Sequence, residues 1–238
     1  MNQHHILERP SLKRQDEFLA AVVRSRKLHR NWAAPPATAT AFRENLKRLR
    51  GAQHLGYWVC TEDGDLAGVI NINEIVRGVF CSGYLGYYAF VPHNGRGYMK
   101  RGLSAVLAEA FVRHRLHRLE ANIQPDNEAS RGLVQRLGFR LEGFSPRYLK
   151  LAGRWRDHER WALTVEEWKD SAEKSARRKR REGESPSPAH TQSKEASISH
   201  SRLRSWFRRP AIAPSGPLPF SRFAMAHSRL PSKFPGPG

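Results

Sequence analysis

The sequence predicts an α/β (α+β) fold: one mixed sheet with helices on both faces, followed by a basic tail without regular structure. Three observations lead there. Strand-like and helix-like stretches alternate in the order β-α-α-β-β-β-α-β-α-β-β over the first 170 residues. Apolar residues recur there with a clear strand or helix period, and that periodicity stops near Trp168. Residues 171–238, by contrast, are rich in Ser, Pro and Arg and hold nine of the 15 prolines. Such a stretch cannot bury enough apolar surface to offset the entropy of ordering it.

Each element has its own signal. His5–Arg9 reads as a short first strand. A helix over Leu12–Lys27 puts Phe18, Leu19, Val22 and Val23 on one face. Thr38–Arg50 is the next helix, with Thr38 or Thr40 as N-cap and Gly51 as its stop. Gly56–Thr61, Leu66–Glu74 and Gly83–Val91 read as strands, and the turn Glu62-Asp63-Gly64-Asp65 joins the first two as a hairpin. Leu103–Arg115 is a helix because Leu103, Val106, Leu107, Ala110 and Phe111 recur at helical spacing. Arg118–Ile123 is a strand and Asn127–Leu137 a helix ended by Gly138. Two strands, Phe139–Leu151 and Trp155–Thr164, close the body, with Gly153 turning between them.

Composition narrows the function classes. Lys and Arg number 41 against 22 Asp and Glu, a formal net charge of +19. A charge of this size speaks to partners rather than to fold, and it invites nucleic acid. Cys60 and Cys81 are too few for a disulfide framework and fit no zinc spacing. They read as reduced thiols of a cytoplasmic protein, and no metal is expected. No apolar run reaches the roughly 18 residues of a membrane span, and Met1–Pro10 lacks the apolar core of a signal peptide.

Chemistry concentrates in two stretches. In the first, the strand ending in Tyr88, Ala89, Phe90 and Val91 runs through Pro92-His93-Asn94-Gly95-Arg96-Gly97-Tyr98-Met99 into a helix. Backbone N–H groups and the positive helix end then converge on one spot, which suits a pyrophosphate, and Gly95 and Gly97 allow close approach. The same residues also read as a plain glycine turn, and they match neither the P-loop nor the dinucleotide fingerprint. In the second, Arg118-Leu119-Glu120 through Pro125-Asp126-Asn127-Glu128-Ala129-Ser130, a carboxylate on a buried-type strand faces a helix that begins with Asn and Ser. Glu120 reads as a proton acceptor or as half of an ion pair with Arg118 or Arg140. Asn127 and Ser130 read as site residues or as helix caps.

Taken together, Leu85–Thr164 closely resembles the GNAT acetyltransferases, and within them the RimJ/RimL type that acetylates ribosomal-protein N-termini. Asn94-Gly95-Arg96-Gly97-Tyr98-Met99 lies on that family's Q/R-x-x-G-x-G/A acetyl-CoA loop. Pro125, Asn127 and Ser130, then Leu137-Gly138-Phe139, match its P-x-N-x-x-S and L-G-F. Tyr148-Leu149-Lys150 through Gly153-Arg154-Trp155-Arg156-Asp157-His158 looks like the RimJ-type ending, and Arg9-Pro10, Ser25-Arg26 and Trp32 resemble the same group. The resemblance covers about residues 5–168. Two positions depart from it: Asn94 stands where Gln or Arg is usual, and Met99 where a small residue is usual, although Met99 still offers its backbone N–H.

The resemblance implies a mainly antiparallel sheet, an acetyltransferase domain over residues 1–170, and acetyl-CoA as co-substrate. It implies that Tyr88, Ala89, Phe90, Val91, Asn94, Gly95, Arg96, Gly97, Tyr98, Met99, Asn127 and Ser130 hold that co-substrate. It also implies a strand bulge near Tyr88–Phe90 that offers a backbone N–H to the developing oxyanion. Glu120 would be the base for an α-amino group whose reference pKa is about 7.7–8.0. Ser130, with Tyr148 as the outside choice, would protonate the leaving thiolate. Trp58, Asn73, Tyr87 and Tyr88 are groove candidates, with ordinary packing the simpler reading of Trp58 and Tyr87. Arg154–His158 reads as an acceptor-recognition hairpin or as a solvated turn.

Three functions stand beside one another. One is acetylation of a protein's N-terminal α-amino group, with ribosomal proteins as the acceptors the resemblance implies. Another is acetylation of a small amine such as a polyamine or aminoglycoside, a cation that calls for an acidic groove. The third is a non-catalytic module holding ribosome or RNA through its basic surface. There Arg177-Arg178-Lys179-Arg180-Arg181 attracts phosphates and Trp206-Phe207 stacks on bases, although the charge run also reads as merely solubilising. No membrane partner is expected, and the protein is read as a monomer or homodimer.

Overall fold

The computed structural model describes residues 6–183 apart from Asn31 and Ala152. The strands are β1 (Leu7–Glu8), β2 (Leu55–Cys60), β3 (Leu66–Val76), β4 (Ser82–Ala89), β5 (Arg118–Ile123), β6 (Arg140–Leu151) and β7 (Arg154–Thr164). The helices are α1 (Gln15–Arg24), α2 (Arg26–His29), α3 (Ala39–Arg48), α4 (Tyr98–Ala108), α5 (Glu128–Arg136) and α6 (Val165–Gly183). All seven strands join one sheet in the order β1-β2-β3-β4-β5-β7-β6. Among the described residues only β4 and β5 run parallel; every other pair is antiparallel. The mixed, mainly antiparallel sheet and the order of its strands are those the sequence predicts; the helices differ in that the first is divided and α6 follows the last strand.

Strand alternation builds two cores. Tyr57 and Val59 of β2 turn to one face, where Leu103, Val106, Leu107, Ala110 and Phe111 bury the predicted stripe. Val134 of α5 joins them, and Trp168 of α6 packs on Phe111 with ring centroids 5.6 Å apart. Trp58 and Cys60 turn to the opposite face, against Phe18, Ala21 and Val22 of α1 and Phe42 and Leu46 of α3. The Phe18 and Phe42 rings lie 5.8 and 6.3 Å from Trp58. Burying each such ring contributes about 1.5–3 kcal/mol, so this aromatic cluster fixes α1 and α3 on the sheet.

Local chemistry sets the helix boundaries. Thr38 caps α3, its hydroxyl accepting from Ala41 N at 3.2 Å. The helix predicted over Leu12–Lys27 divides into a 3₁₀ turn at Leu12–Arg14, then α1 and α2. Ser25 sits at the break, and its Oγ accepts from Val91 N at 3.0 Å. The interruption brings His29 round to Ala89 O, 2.7 Å away, and leaves Val23 half exposed rather than on the packed face. α4 begins at Tyr98, ahead of its apolar stripe, and passes into a π-helical turn at Glu109–Arg113. That wider turn keeps Ala110 and Phe111 both buried.

Residues 171–183 correct the sequence reading, which gave them no regular structure: they belong to α6. A reciprocal cap starts that helix. Glu167 Oε2 accepts from Thr164 N at 2.8 Å, and Thr164 Oγ1 accepts from Glu167 N at 3.4 Å. The rest of the tail, including Trp206-Phe207, lies outside the described residues.

Candidate active site

The loop between β4 and α4 is shaped as the sequence predicts. Gly95 and Gly97 adopt left-handed φ of 76° and 83°, and a Cβ on either would meet nothing within 4 Å. Asn94, Gly95, Arg96 and Gly97 are all exposed. Gly97 is the N-cap of α4 and supplies no side-chain bond to the helix start. The first N–H groups of a helix have no intrahelical partner, and here the ladder starts at Arg101 N to Gly97 O, which leaves those of Tyr98, Met99 and Lys100 without one. This cradle fits a pyrophosphate. Met99 does not crowd it, because its sulfur fills the space beside Gly68 on β3. Nearby, Arg101 and Tyr98 both hold Glu62, at 2.5 and 3.0 Å, and the Arg101 bond keeps that carboxyl at about 2.

β4 and β5 pair only from Ser82/Arg118 to Leu85/Ala121 and then part. The β3–β4 register runs unbroken from Asn73/Tyr84 to Gly68/Ala89, so the expected bulge at Tyr88–Phe90 is absent. Phe90 N donates to Ala67 O at 2.8 Å and Val91 N to Ser25 Oγ. Both N–H groups are engaged inside the protein, and the Phe90 ring is fully buried. Antiparallel strands alternate which side their N–H groups serve. With Phe90 bonded to β3, Tyr87 and Ala89 turn their N–H groups toward the gap that β5 leaves.

That gap opens into a cleft of about 490 Å³. One wall comes from Tyr87, Asn127 and Ser130, the other from Tyr148, Leu149, Leu151 and His158, and Asn73, Tyr84, Asn122 and Trp32 also line it. Tyr87 Oη and Ser130 Oγ are 2.5 Å apart, tying β4 to α5 across the opening. Burial pushes the Tyr87 phenol up to about 12, so it stays protonated. Asn127 caps α5 through Ser130 N at 3.2 Å, so its capping role and its place in the cleft hold together. On the far wall the β6–β7 register shifts between Ser145 and Leu149. Asp157 Oδ1 accepts from Arg147 N at 2.7 Å within this bulge, where Arg147 is left-handed at φ 48°. The bulge presents Tyr148 to the cleft.

Glu120 is placed differently from these residues. Its Oε1 accepts from Arg118 Nε at 2.9 Å, and Arg118 also pairs with Glu142. The ion-pair reading of Glu120 is therefore the one its contacts show. It lies beside Tyr84 in the β4–β5 register but is absent from the cleft wall. Trp58 is core, 1% exposed, and Tyr88 packs edge-on against His29 at 5.2 Å. The Arg154–His158 stretch is strand rather than solvated turn, and His158 within it is buried. Sequence reasoning missed Tyr84 and Asn122 as cleft residues. Their signal was period two, since each alternates with a core residue, Leu85 and Ala121. Among the described residues, no group of His, Cys, Asp and Glu is placed to hold a metal ion, and no helix is long and apolar enough to cross a membrane.

Known proteins share this architecture. A family model described as acetyltransferase (GNAT) domain matches residues 5–140. The [ribosomal protein uS5]-alanine N-acetyltransferase of Escherichia coli (strain K12) is 38% identical over 107 residues, 45% of this chain and 55% of that protein. The match thus spans about half of that relative's length. A probable N-acetyltransferase of Bacillus subtilis (strain 168), YjcK, is 32% identical over 52% of this chain and 67% of its own. Among solved structures, Mycobacterium smegmatis RimJ in complex with CoA-disulfide superposes with a TM-score of 0.63 at 26% identity, covering 68% of this chain and 82% of that one. A Vibrio cholerae spermidine N-acetyltransferase shares the fold alone, with a TM-score of 0.60 at 17% identity over 68% of this chain and 96% of its own.

Proposed function

Since this chain belongs to the GNAT acetyltransferase family, we propose that it transfers an acetyl group from acetyl-CoA to the α-amino group of a protein N-terminus, of the kind that ribosomal proteins carry. The observation that carries this reading is that one strand, β4, lines the cleft with Tyr84, Leu85, Gly86 and Tyr87 where it parts from β5 and then leads, after Ala89, into the exposed glycine cradle. Acetyl-CoA supplies an activated thioester, and its pyrophosphate fits the cradle of Gly95, Arg96, Gly97 and the α4 N-terminus. The backbone N–H groups of Tyr87 and Ala89 donate into the gap, Asn127 offers its amide, and Ser130, held by Tyr87, lies at the mouth as a proton donor. Tyr148 stands on the opposite wall, nearer the acceptor side.

The chemistry of the cleft favours a peptide over a polyamine. Glu74 is the one carboxylate among the described residues lining it; the other polar groups are Asn, Gln, Tyr, Ser, Trp and His. A polycation needs paired carboxylates, whereas a peptide's amine and amide groups need neutral donors and acceptors. The glycine cradle also favours an enzyme over a purely RNA-holding module. Thiol release from acetyl-CoA, followed with Ala- and Ser-starting peptides, spermidine and an aminoglycoside in parallel, tests the reading. Turnover on the peptides supports it, and turnover confined to the small amines replaces the acceptor.

A further inference from the structure

His158 lies on β7 at the wall of the acceptor cleft, 2% exposed, among the few titratable groups there. Its Nδ1 is 2.9 Å from Arg156 O. A carbonyl oxygen only accepts, so Nδ1 carries the ring hydrogen and Nε2 carries a lone pair. Two neighbours of the ring are placed by their own contacts. Tyr148, from β6, has its ring centroid 6.3 Å away, and the Asp157 carboxylate is turned to Arg147 N. Burial pulls the imidazole below its ordinary value, with the Arg156 carbonyl and Asp157 opposing it more weakly. The ring is therefore neutral at physiological pH.

We propose that His158 is a catalytic residue, its Nε2 accepting the proton of the acceptor amine. This rests on the acetyl-transfer reading above. As the acceptor nitrogen bonds to the acetyl carbon, its N–H bond breaks and the proton passes to Nε2; the C–S bond breaks and the thiolate leaves with the bonding pair. Nitrogen becomes far more acidic as that bond forms, so a weakly basic imidazole suffices, and it returns the proton to solvent through the open cleft. Glu120, by contrast, is held by Arg118 and absent from the cleft wall.

The test compares His158→Gln and Glu120→Gln in the full chain, with an Ala-starting peptide as acceptor. His158→Gln is expected to lower kcat by about 100-fold near neutral pH, within the usual range for general-base loss, with acetyl-CoA affinity by calorimetry unchanged. The deficit is expected to shrink as pH falls below the imidazole's own value, where the wild-type ring is protonated and can no longer accept, so the wild-type profile carries an acidic limb that His158→Gln lacks. A purely structural role would leave the deficit constant with pH. Turnover close to wild type, a pH-independent deficit, or a larger loss in Glu120→Gln overturns the assignment of His158 and leaves the acetyl-transfer reading standing. Wild-type protein inert toward every peptide overturns both. A second measurement needs no variant: diethylpyrocarbonate modifies unprotonated imidazole nitrogen, and mass spectrometry reads its rate at residue 158. The acceptor peptide is expected to slow that rate several-fold, by the exclusion that binding imposes, whereas an unchanged rate contradicts the proposal.

Discussion

The cradle proposed for the pyrophosphate and the cleft proposed for the acceptor are built in opposite ways. The cradle is local: one strand, one loop and one helix start, Ala89 to Met99, supply it, and its binding groups are backbone. The cleft is assembled from β3, β4, β5, α5, β6, β7 and the segment after α2, and its groups are side chains brought together by register. Backbone recognition tolerates side-chain change but not a change of conformation. Side-chain recognition tolerates neighbouring change but depends on each residue's identity. The same fold can therefore hold one co-substrate constant while its acceptor varies.

The sharpest way to break that comparison is Gly97→Val. A β-branched residue at φ 83° costs about 1–3 kcal/mol in strain, and its side chain enters the phosphate space, so acetyl-CoA affinity is expected to fall about 10- to 100-fold by calorimetry. Gly64→Val is the control: its φ is 92°, but it lies in the β2–β3 hairpin, so it lowers stability and leaves affinity intact. Tyr87→Phe probes the seam between the two regions. It removes the 2.5 Å bond to Ser130 and is expected to lower kcat up to about tenfold, the worth of one hydrogen bond, with affinity for acetyl-CoA nearly constant.

A smaller effect comes from pH. Burial lowers the pKa of His29, His114 and His158 below the ordinary 6.5. Below that value the unfolded chain binds protons that the folded chain does not. Stability is therefore present in full above pH 6.5 and is lost as pH falls below it. Urea midpoints are expected to drop between neutral pH and about pH 5, and His29→Gln is expected to flatten the slope. The smallest effect is truncation after Gly183, which is expected to leave peptide turnover and acetyl-CoA affinity as they are. A fall in either would tie residues 184–238 to the site.

The contrast between cradle and cleft also governs what could be read in the sequence. The cradle was legible because its residues are contiguous and glycine has a backbone meaning that needs no partner. The helix stripe at Leu103–Phe111 and the Thr38 cap were legible for the same local reason. The cleft was only partly so. Asn73 and Tyr148 were picked out by type, but Tyr84 and Asn122 join the site only through the β4–β5 register and its end at Ala121. His158 was legible only as one end of a stretch that read equally as an acceptor-recognition hairpin or a solvated turn, because Arg154, Arg156 and Asp157 are polar. Strand alternation in β7 turns it inward beside exposed Asp157. The start of α6 was in fact written in Thr164 and Glu167, a spaced capping pair outweighed by the basic composition after Trp168.

The most direct test of acetyl transfer to an α-amino group uses two forms of one Ala-starting peptide that also contains an internal lysine. One form has a free N-terminus and the other is blocked there. After incubation with the protein and acetyl-CoA, fragmentation mass spectrometry locates any added acetyl group. One acetyl group is expected on the α-nitrogen of the free peptide and none on the blocked one. Equal acetylation of lysine in both forms, with the α-nitrogen untouched, would contradict transfer to the α-amino group.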